Sequence, residues 1–180
     1  MFAKKYIKSV NSSDLRDDEF HHATDALAAA GLADRDGGVM LGSLLCRAKF
    51  ADGSTSKEFR AGSSSLSTLI KEWTAIVTER GKSRGWVPAN TAWDMQAAFK
   101  LYERVAQQSL AHWLDGRCEP CNGAGVMETR RTCTCCAGSG RAQIDAGRFE
   151  TDKVKDMVSE LEGVFQAHSG RAAAMLRRAA

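Results

Sequence analysis

The sequence contains two copies of one short cysteine motif, and this repeat constrains the fold more than any other feature of the chain. The copies run from Cys118 to Gly125 and from Cys133 to Gly140, and both read C-x-x-C-x-G-x-G. Two cysteines separated by two residues can hold one metal ion from a tight turn, and glycines just beyond them permit the positive φ that such a turn needs. Two such pairs supply the four thiolates of a closed tetrahedral zinc site. The sequence therefore predicts one structural Zn²⁺.

The glycine offsets select four ligands from the six cysteines of the chain. Glycines stand two and four residues after Cys121, and in the second copy they stand at the same offsets from Cys136 but not from Cys135. The predicted metal ligands are thus Cys118, Cys121, Cys133 and Cys136. Cys135 is then spare, and Cys46 lies in an apolar run, where we expect a small core residue.

Disulfide pairing is the alternative account of these cysteines. The chain begins Met-Phe-Ala-Lys-Lys without an apolar signal segment, so we expect a reducing cytoplasm in which thiols persist. Four thiolates would also close the coordination sphere of zinc and leave no position for water or substrate. We call each C-x-x-C-x-G-x-G copy a knuckle. His112 precedes the first knuckle and is conceivable as an extra ligand, but a surface or core histidine is the more common case. No other stretch has the pattern of an active site, and we expect neither an enzyme nor a small-molecule substrate.

Outside the repeat the sequence is typical of α-helix, because it has only two prolines and little β-branched alternation. The apolar periodicity predicts helices over about 12–30, 38–50, 66–80 and 91–114, and a further helix from Thr151 that Gly170 interrupts. We expect the first of these helices to end before Gly31. In the longest one, an aromatic stripe that includes Met95, Phe99 and Trp113 is expected to face the core.

The predicted fold class is mainly α, a helical bundle with an inserted two-knuckle zinc finger that has four cysteine ligands. Its three parts are a helical region over 1–115, the zinc finger over 116–141, and a carboxy-terminal helical region over 142–180 that packs on the first. A chain of 180 residues with 43% hydrophobic side chains can bury a core without disulfides. Its apolar stretches are too short to span a membrane.

The charge balance limits how such a chain could bind nucleic acid. The formal net charge is +3, and a zinc-bound tetrathiolate site would lower it to about +1. Contacts to phosphate must then come from local patches. The candidates are Arg117 and Arg141 beside the site, Arg130 and Arg131 near the return of the finger, and Arg80, Lys82 and Arg84 on a glycine-bounded loop. Two interpretations of the arginines around the finger stay open. These arginines could merely neutralise the thiolates, or they could also contact phosphate or an acidic protein surface.

The doubled motif resembles two known families. It looks like half of the cysteine-rich domain of DnaJ chaperones, but the chain lacks their His-Pro-Asp hairpin and their Gly/Phe-rich linker. It is more similar to the Q antitermination proteins of lambdoid phages, in which a long helix runs into Cys-x-x-Cys-x-Gly-x-Gly and a second copy follows. Here the helix carrying Tyr102-Glu-Arg-Val-Ala leads through Trp113 to Arg117 and Cys118, and Arg141 follows the second copy.

The resemblance to the Q proteins implies a bacteriophage transcription factor that acts in the bacterial cytoplasm. Such a factor binds double-stranded DNA near a late promoter and loads onto paused RNA polymerase holoenzyme through the β flap and the σ factor. The modified polymerase then reads through terminators. The alternatives are a zinc-finger adaptor or chaperone-like interaction module and a plain DNA-binding transcription regulator.

Overall fold

The computed structural model describes residues 2–10, 25–37, 41–50, 64–87 and 92–178. Within these residues the protein has six α-helices and no strand. The helices are α1 (Phe2–Val10), α2 (Asp25–Gly37), α3 (Leu41–Phe50), α4 (Ser64–Ser83), α5 (Ala92–Asp115) and α6 (Thr151–Arg178). None of the described helices is both long and apolar enough to span a bilayer. The fold class that the sequence predicts, a helical protein with an inserted cysteine cluster, is confirmed.

Two helix ends predicted from the positions of Gly31 and Gly170 are wrong. α2 continues past Gly31 to Gly37, and α6 continues past Gly170 to Arg178. Both glycines lie in open space and are exposed, so each costs its helix about 1 kcal/mol relative to alanine. Ala33 and Ala172, which lie beyond these glycines, are fully buried, so packing favours the continuation of both helices. In the helix predicted over 12–30, residues 12–24 lie outside the described residues.

Contacts divide the chain into two compact units, the first formed by Met1–Leu69 and Glu162–Ala180 and the second by Ile70–Leu161. The core of the first unit joins α1, α2 and α3 to the end of α6. A row of aromatic rings runs through it, from Phe2 to Tyr6 to Phe50 to Phe165, with successive centroids 5.6, 6.2 and 5.6 Å apart. Cys46 is fully buried in this core, and burial raises the pKa of its thiol to about 11. It is a small core residue, as the sequence predicts.

The first unit also buries a histidine. His168 is 0% exposed, and its ring lies so close to Gly42 that a Cβ added there would be 2.4 Å from the ring Cγ. Nδ1 of His168 lies 3.2 Å from Oδ1 of Asp34, and that oxygen accepts a hydrogen bond from the Ser43 N–H. Neither ring nitrogen of His168 makes a hydrogen bond within the described residues. The imidazole is therefore held by packing and by one carboxylate.

The core of the second unit is built on α4, α5 and the start of α6. Trp73 and Ser109 are fully buried, and the indole Nε1–H donates to Ser109 Oγ at 2.9 Å. The predicted aromatic stripe of α5 is only partly correct. Trp113 is buried, but Phe99 and Met95 are 58% and 63% exposed. Periodicity places a residue on a helix face, but it does not show where along the helix the packing partners stop.

Candidate metal centre

Helix α5 leads directly into the first knuckle. It ends at Asp115. The next residue, Gly116, has no room for a side chain, because a Cβ there would lie 2.3 Å from the backbone oxygen of His112. Cys118 follows and precedes a short 3₁₀ turn over Glu119–Cys121, with proline in its first turn. Proline is favoured at that point because it presets φ and needs no N–H partner there. The sequence therefore fixes the first cysteine pair at the carboxyl end of a long helix.

The structure brings together four buried thiols, those of Cys118, Cys121, Cys133 and Cys136. All four sulfurs lie within 4.8 Å of one another. The Cys118 and Cys133 sulfurs are 3.8 Å apart, and those of Cys121 and Cys136 are 3.7 Å apart. A tetrahedral Zn²⁺ with sulfur ligands at about 2.3 Å separates its sulfurs by about 3.8 Å. The cluster can thus hold a metal ion, and its spacing is compatible with zinc.

The hydrogen bonds of one knuckle are repeated in the other with the roles exchanged. The Cys118 N–H donates to the Gly140 oxygen at 2.9 Å, and the Cys133 N–H donates to the Gly125 oxygen at 2.9 Å. Each knuckle is therefore closed by a hydrogen bond that the N–H of its first cysteine donates to the last glycine of the other copy. The residues after the second cysteines, Asn122 and Ala137, also match, with φ of 47° and 49°. The two sequence copies form one interlocked unit.

The last glycine of each copy has a structural reason to be glycine. Gly125 and Gly140 are buried, with φ of +74° and +71°. A Cβ at Gly125 would lie 2.3 Å from the Gly138 oxygen, and a Cβ at Gly140 would lie 2.3 Å from the Gly123 oxygen. Any side chain at these positions would push the two knuckles apart. The close approach of the two backbones thus depends on both glycines.

The same two glycines also contact sulfur. The Gly125 N–H donates to Cys121 Sγ and the Gly140 N–H donates to Cys136 Sγ, each at 3.3 Å. Burial alone would raise the pKa of Cys136, but the Gly140 N–H and the neighbouring thiols outweigh it and lower that pKa to about 6. Burial raises the pKa of Cys118. The site therefore stabilises negative charge on the Cys136 sulfur, and this charge favours the binding of a cation.

Cys135, which the sequence leaves spare, and His112, a conceivable extra ligand, are not part of the cluster. Cys135 is exposed, and its sulfur is not among the four. His112 is half-buried, and its pKa is lowered by burial and by the positive charge of Arg141. All six cysteines lie in the described part of the chain, and all are free thiols rather than disulfides.

The arginines beside the metal centre lie on the outside of the finger. Arg117 and Arg141 pair as an isolated antiparallel bridge, and both are exposed. Arg117 forms an ion pair with Asp115, Nε to Oδ1 at 3.0 Å. Arg130 and Arg131 are exposed on the far arm of the finger.

The second basic cluster differs from its predicted setting. Arg80 and Lys82 lie in the last turn of α4 rather than on a loop, because the helix continues through Gly81 to Ser83. Arg80 Nε lies 2.6 Å from Glu160 Oε1 on α6. Arg84 forms ion pairs with Asp156 and Glu160. Two of the three cations therefore have carboxylate partners within their own unit.

The end of the finger carries a feature that the sequence analysis missed. Val126 pairs with Thr132 in an isolated antiparallel bridge, and the chain turns between them. Val126 is 51% exposed and Met127 is 38% exposed. This apolar pair is visible in the sequence, among the eleven mostly polar or small residues that separate Cys121 from Cys133.

A comparison of the chain with protein-family models, curated proteins and solved structures finds no match.

Proposed function

We propose that the four-thiol cluster holds one structural Zn²⁺ and that the protein is not an enzyme. The support is the sulfur spacing, which suits tetrahedral zinc, together with the burial of all four thiols. Elemental analysis of the purified protein is expected to give one zinc per chain. Two zincs per chain, or none with oxidised cysteines, would contradict this assignment.

We further propose that the protein is a late-gene transcription antitermination factor of the lambdoid-phage Q type, which acts in the cytoplasm of a bacterial host. The observation that carries this proposal is the passage of α5 into a doubled knuckle, with Asp115 ending the helix and Cys118 the first ligand. This is the arrangement on which the resemblance rests. The factor would bind DNA near a promoter, load onto RNA polymerase holoenzyme through the β flap and σ factor, and suppress termination.

The charge of the protein supports a mode of action with two contacts. With zinc bound the net charge is about +1, so the affinity for duplex DNA alone is expected to be modest and sensitive to salt. Stable loading would then require polymerase as a second contact, which raises the effective concentration at the promoter. Arg130 and Arg131 are better candidates for these contacts, because the charges of Arg80, Arg84 and Arg117 are already paired.

In vitro transcription tests the proposal directly. The template carries the DNA that flanks the gene of this protein, with a promoter and a downstream terminator. The zinc-loaded protein is expected to increase read-through, and Arg130→Ala combined with Arg131→Ala is expected to reduce it without changing the zinc content. Unchanged read-through with folded, zinc-loaded protein would contradict antitermination.

A protein-interaction adaptor is the second candidate function. It is favoured by one observation, the exposed apolar pair Val126 and Met127 on the finger. An adaptor would bind a protein partner without any effect on read-through, so the same transcription assay distinguishes the two functions.

A further inference from the structure

The tip of the finger, residues 126–132, is built as a fixed hairpin. The Met127 N–H donates to the Arg131 oxygen at 2.8 Å, and the Arg130 N–H donates to the Met127 oxygen at 2.9 Å. Immediately below, the Cys133 N–H donates to the Gly125 oxygen at 2.9 Å, which ties the tip to both knuckles. The tip is therefore closed by its own turn and is joined to both knuckles at its base.

Arg130 stands at the strained position of this hairpin. Its φ is 59°, in the left-handed region. Three-residue hairpin loops place glycine at such a position, because other L-residues lose about 1–2 kcal/mol there. The turn itself would be more stable with glycine, so the presence of arginine needs another explanation. A side chain that contacts a partner supplies one.

The surface around Arg130 combines two kinds of chemistry. Val126 and Met127 expose apolar side chains, and Arg130 and Arg131 expose two guanidinium groups with no ion-pair partner within the described residues. Arginine and methionine are enriched at the centres of protein interfaces. Contact with a phosphate backbone alone would not require the apolar pair, so the exposed Val126 and Met127 favour a protein partner over nucleic acid.

We propose that the finger tip docks an acidic protein segment, in which an apolar side chain packs on Val126 and Met127 while flanking carboxylates pair with Arg130 and Arg131. Charge complementarity identifies the occupant, since bidentate arginine–carboxylate pairs give both energy and orientation. The inference deepens the proposed function and rests on it for the setting, in which the segment belongs to a protein of the transcription complex.

The test measures binding of the full-length, zinc-loaded protein to labelled peptides by fluorescence anisotropy. The probes are short peptides that carry Leu or Phe between pairs of Asp or Glu. One matched set has Lys in place of the acids, a second has Ser in place of the apolar residues, and a short DNA duplex is the nucleic-acid probe. The acidic, apolar peptides are expected to bind at least about tenfold more tightly than either matched set.

Arg130→Gly is the informative variant, because it should improve the turn while it weakens the contact. It is expected to weaken binding of the acidic peptides about fivefold or more, with no loss of zinc and no loss of stability. Val126→Ser combined with Met127→Ser is expected to weaken the same peptides. Arg148→Ala removes one charge from an exposed turn outside the finger and should leave binding unchanged.

Several results would overturn the inference. The first is that acidic, apolar peptides bind no more tightly than the matched sets, and the second is that wild type and Arg130→Gly bind them equally. The third is that Arg130→Gly weakens binding of duplex DNA alone, which would assign the tip to nucleic acid. The transcription assay separates this inference from the proposed function. Selective peptide binding without read-through would refute antitermination and support the docking surface. Read-through that persists in Arg130→Gly, together with no peptide preference, would support antitermination and refute the docking surface.

Discussion

Replacement of Gly140 by alanine tests whether the two knuckles depend on each other. The added Cβ would lie 2.3 Å from the Gly123 oxygen, a backbone atom of the other knuckle. The left-handed conformation costs alanine about 1–2 kcal/mol. Relief of the clash would also break the bonds from the Cys118 N–H to Gly140 and from Gly140 to Cys136 Sγ, at about 1 kcal/mol each. The total of about 3–4 kcal/mol corresponds to a zinc affinity lower by two to three powers of ten.

Competition for zinc with a chromophoric chelator measures this loss. Gly147→Ala is the matched control, because Gly147 has φ +78° but no atom within 4 Å of an added Cβ. It should lower stability by the same amount, about 1–2 kcal/mol, and leave the zinc affinity unchanged. Gly125→Ala places its Cβ 2.3 Å from the Gly138 oxygen, so it should match Gly140→Ala. A zinc affinity for Gly140→Ala within threefold of wild type would refute the interlocked arrangement.

Three further outcomes are expected. Cys136→Ser should lose zinc and Cys135→Ser should keep it, since only Cys136 lies in the buried cluster; elemental analysis of both variants decides this, and the reverse result would show that the second knuckle is misassigned. Ser109→Ala should destabilise the protein by about 1–3 kcal/mol in urea unfolding, because it leaves the buried Trp73 N–H unpaired. Burial lowers the pKa of His168, so the unfolded chain takes up a proton that the folded chain resists, and stability should fall as the pH drops below about 6.5. Urea midpoints of wild type and His168→Gln against pH test this, and equal pH dependence would contradict it.

The sequence was most informative where one local pattern carries the whole constraint. The doubled motif selects four of six cysteines, and these are the four that the structure brings together. It could do so because ligand spacing and glycine offsets act within a few residues. The crossed hydrogen bonds, in contrast, join Gly125 to Cys133 and Gly140 to Cys118, and the repeat alone does not indicate that each copy completes the other.

Helix boundaries were less predictable because they depend on distant packing. Gly31 and Gly170 each favour a helix end locally, but both helices continue because residues beyond them are buried in the first unit. α1 was not predicted at all, although Phe2 and Tyr6 stand one helical turn apart on a buried face. The setting of Arg80 was wrong for the same reason, since its carboxylate partner, Glu160, lies far along the chain.

The crossed closure of the two knuckles has a consequence for the order in which the protein can mature. During synthesis Cys118 and Cys121 leave the ribosome first, but the carbonyl that completes their turn belongs to Gly140. A nascent chain that stops between the two copies has one pair of thiols and no closed cage, so it can bind zinc only loosely. On the proposed zinc assignment, tight capture of the metal must therefore follow the exit of Gly140 from the ribosome. Both copies must emerge before the two turns can close on each other, and the first pair of thiols stays open until then.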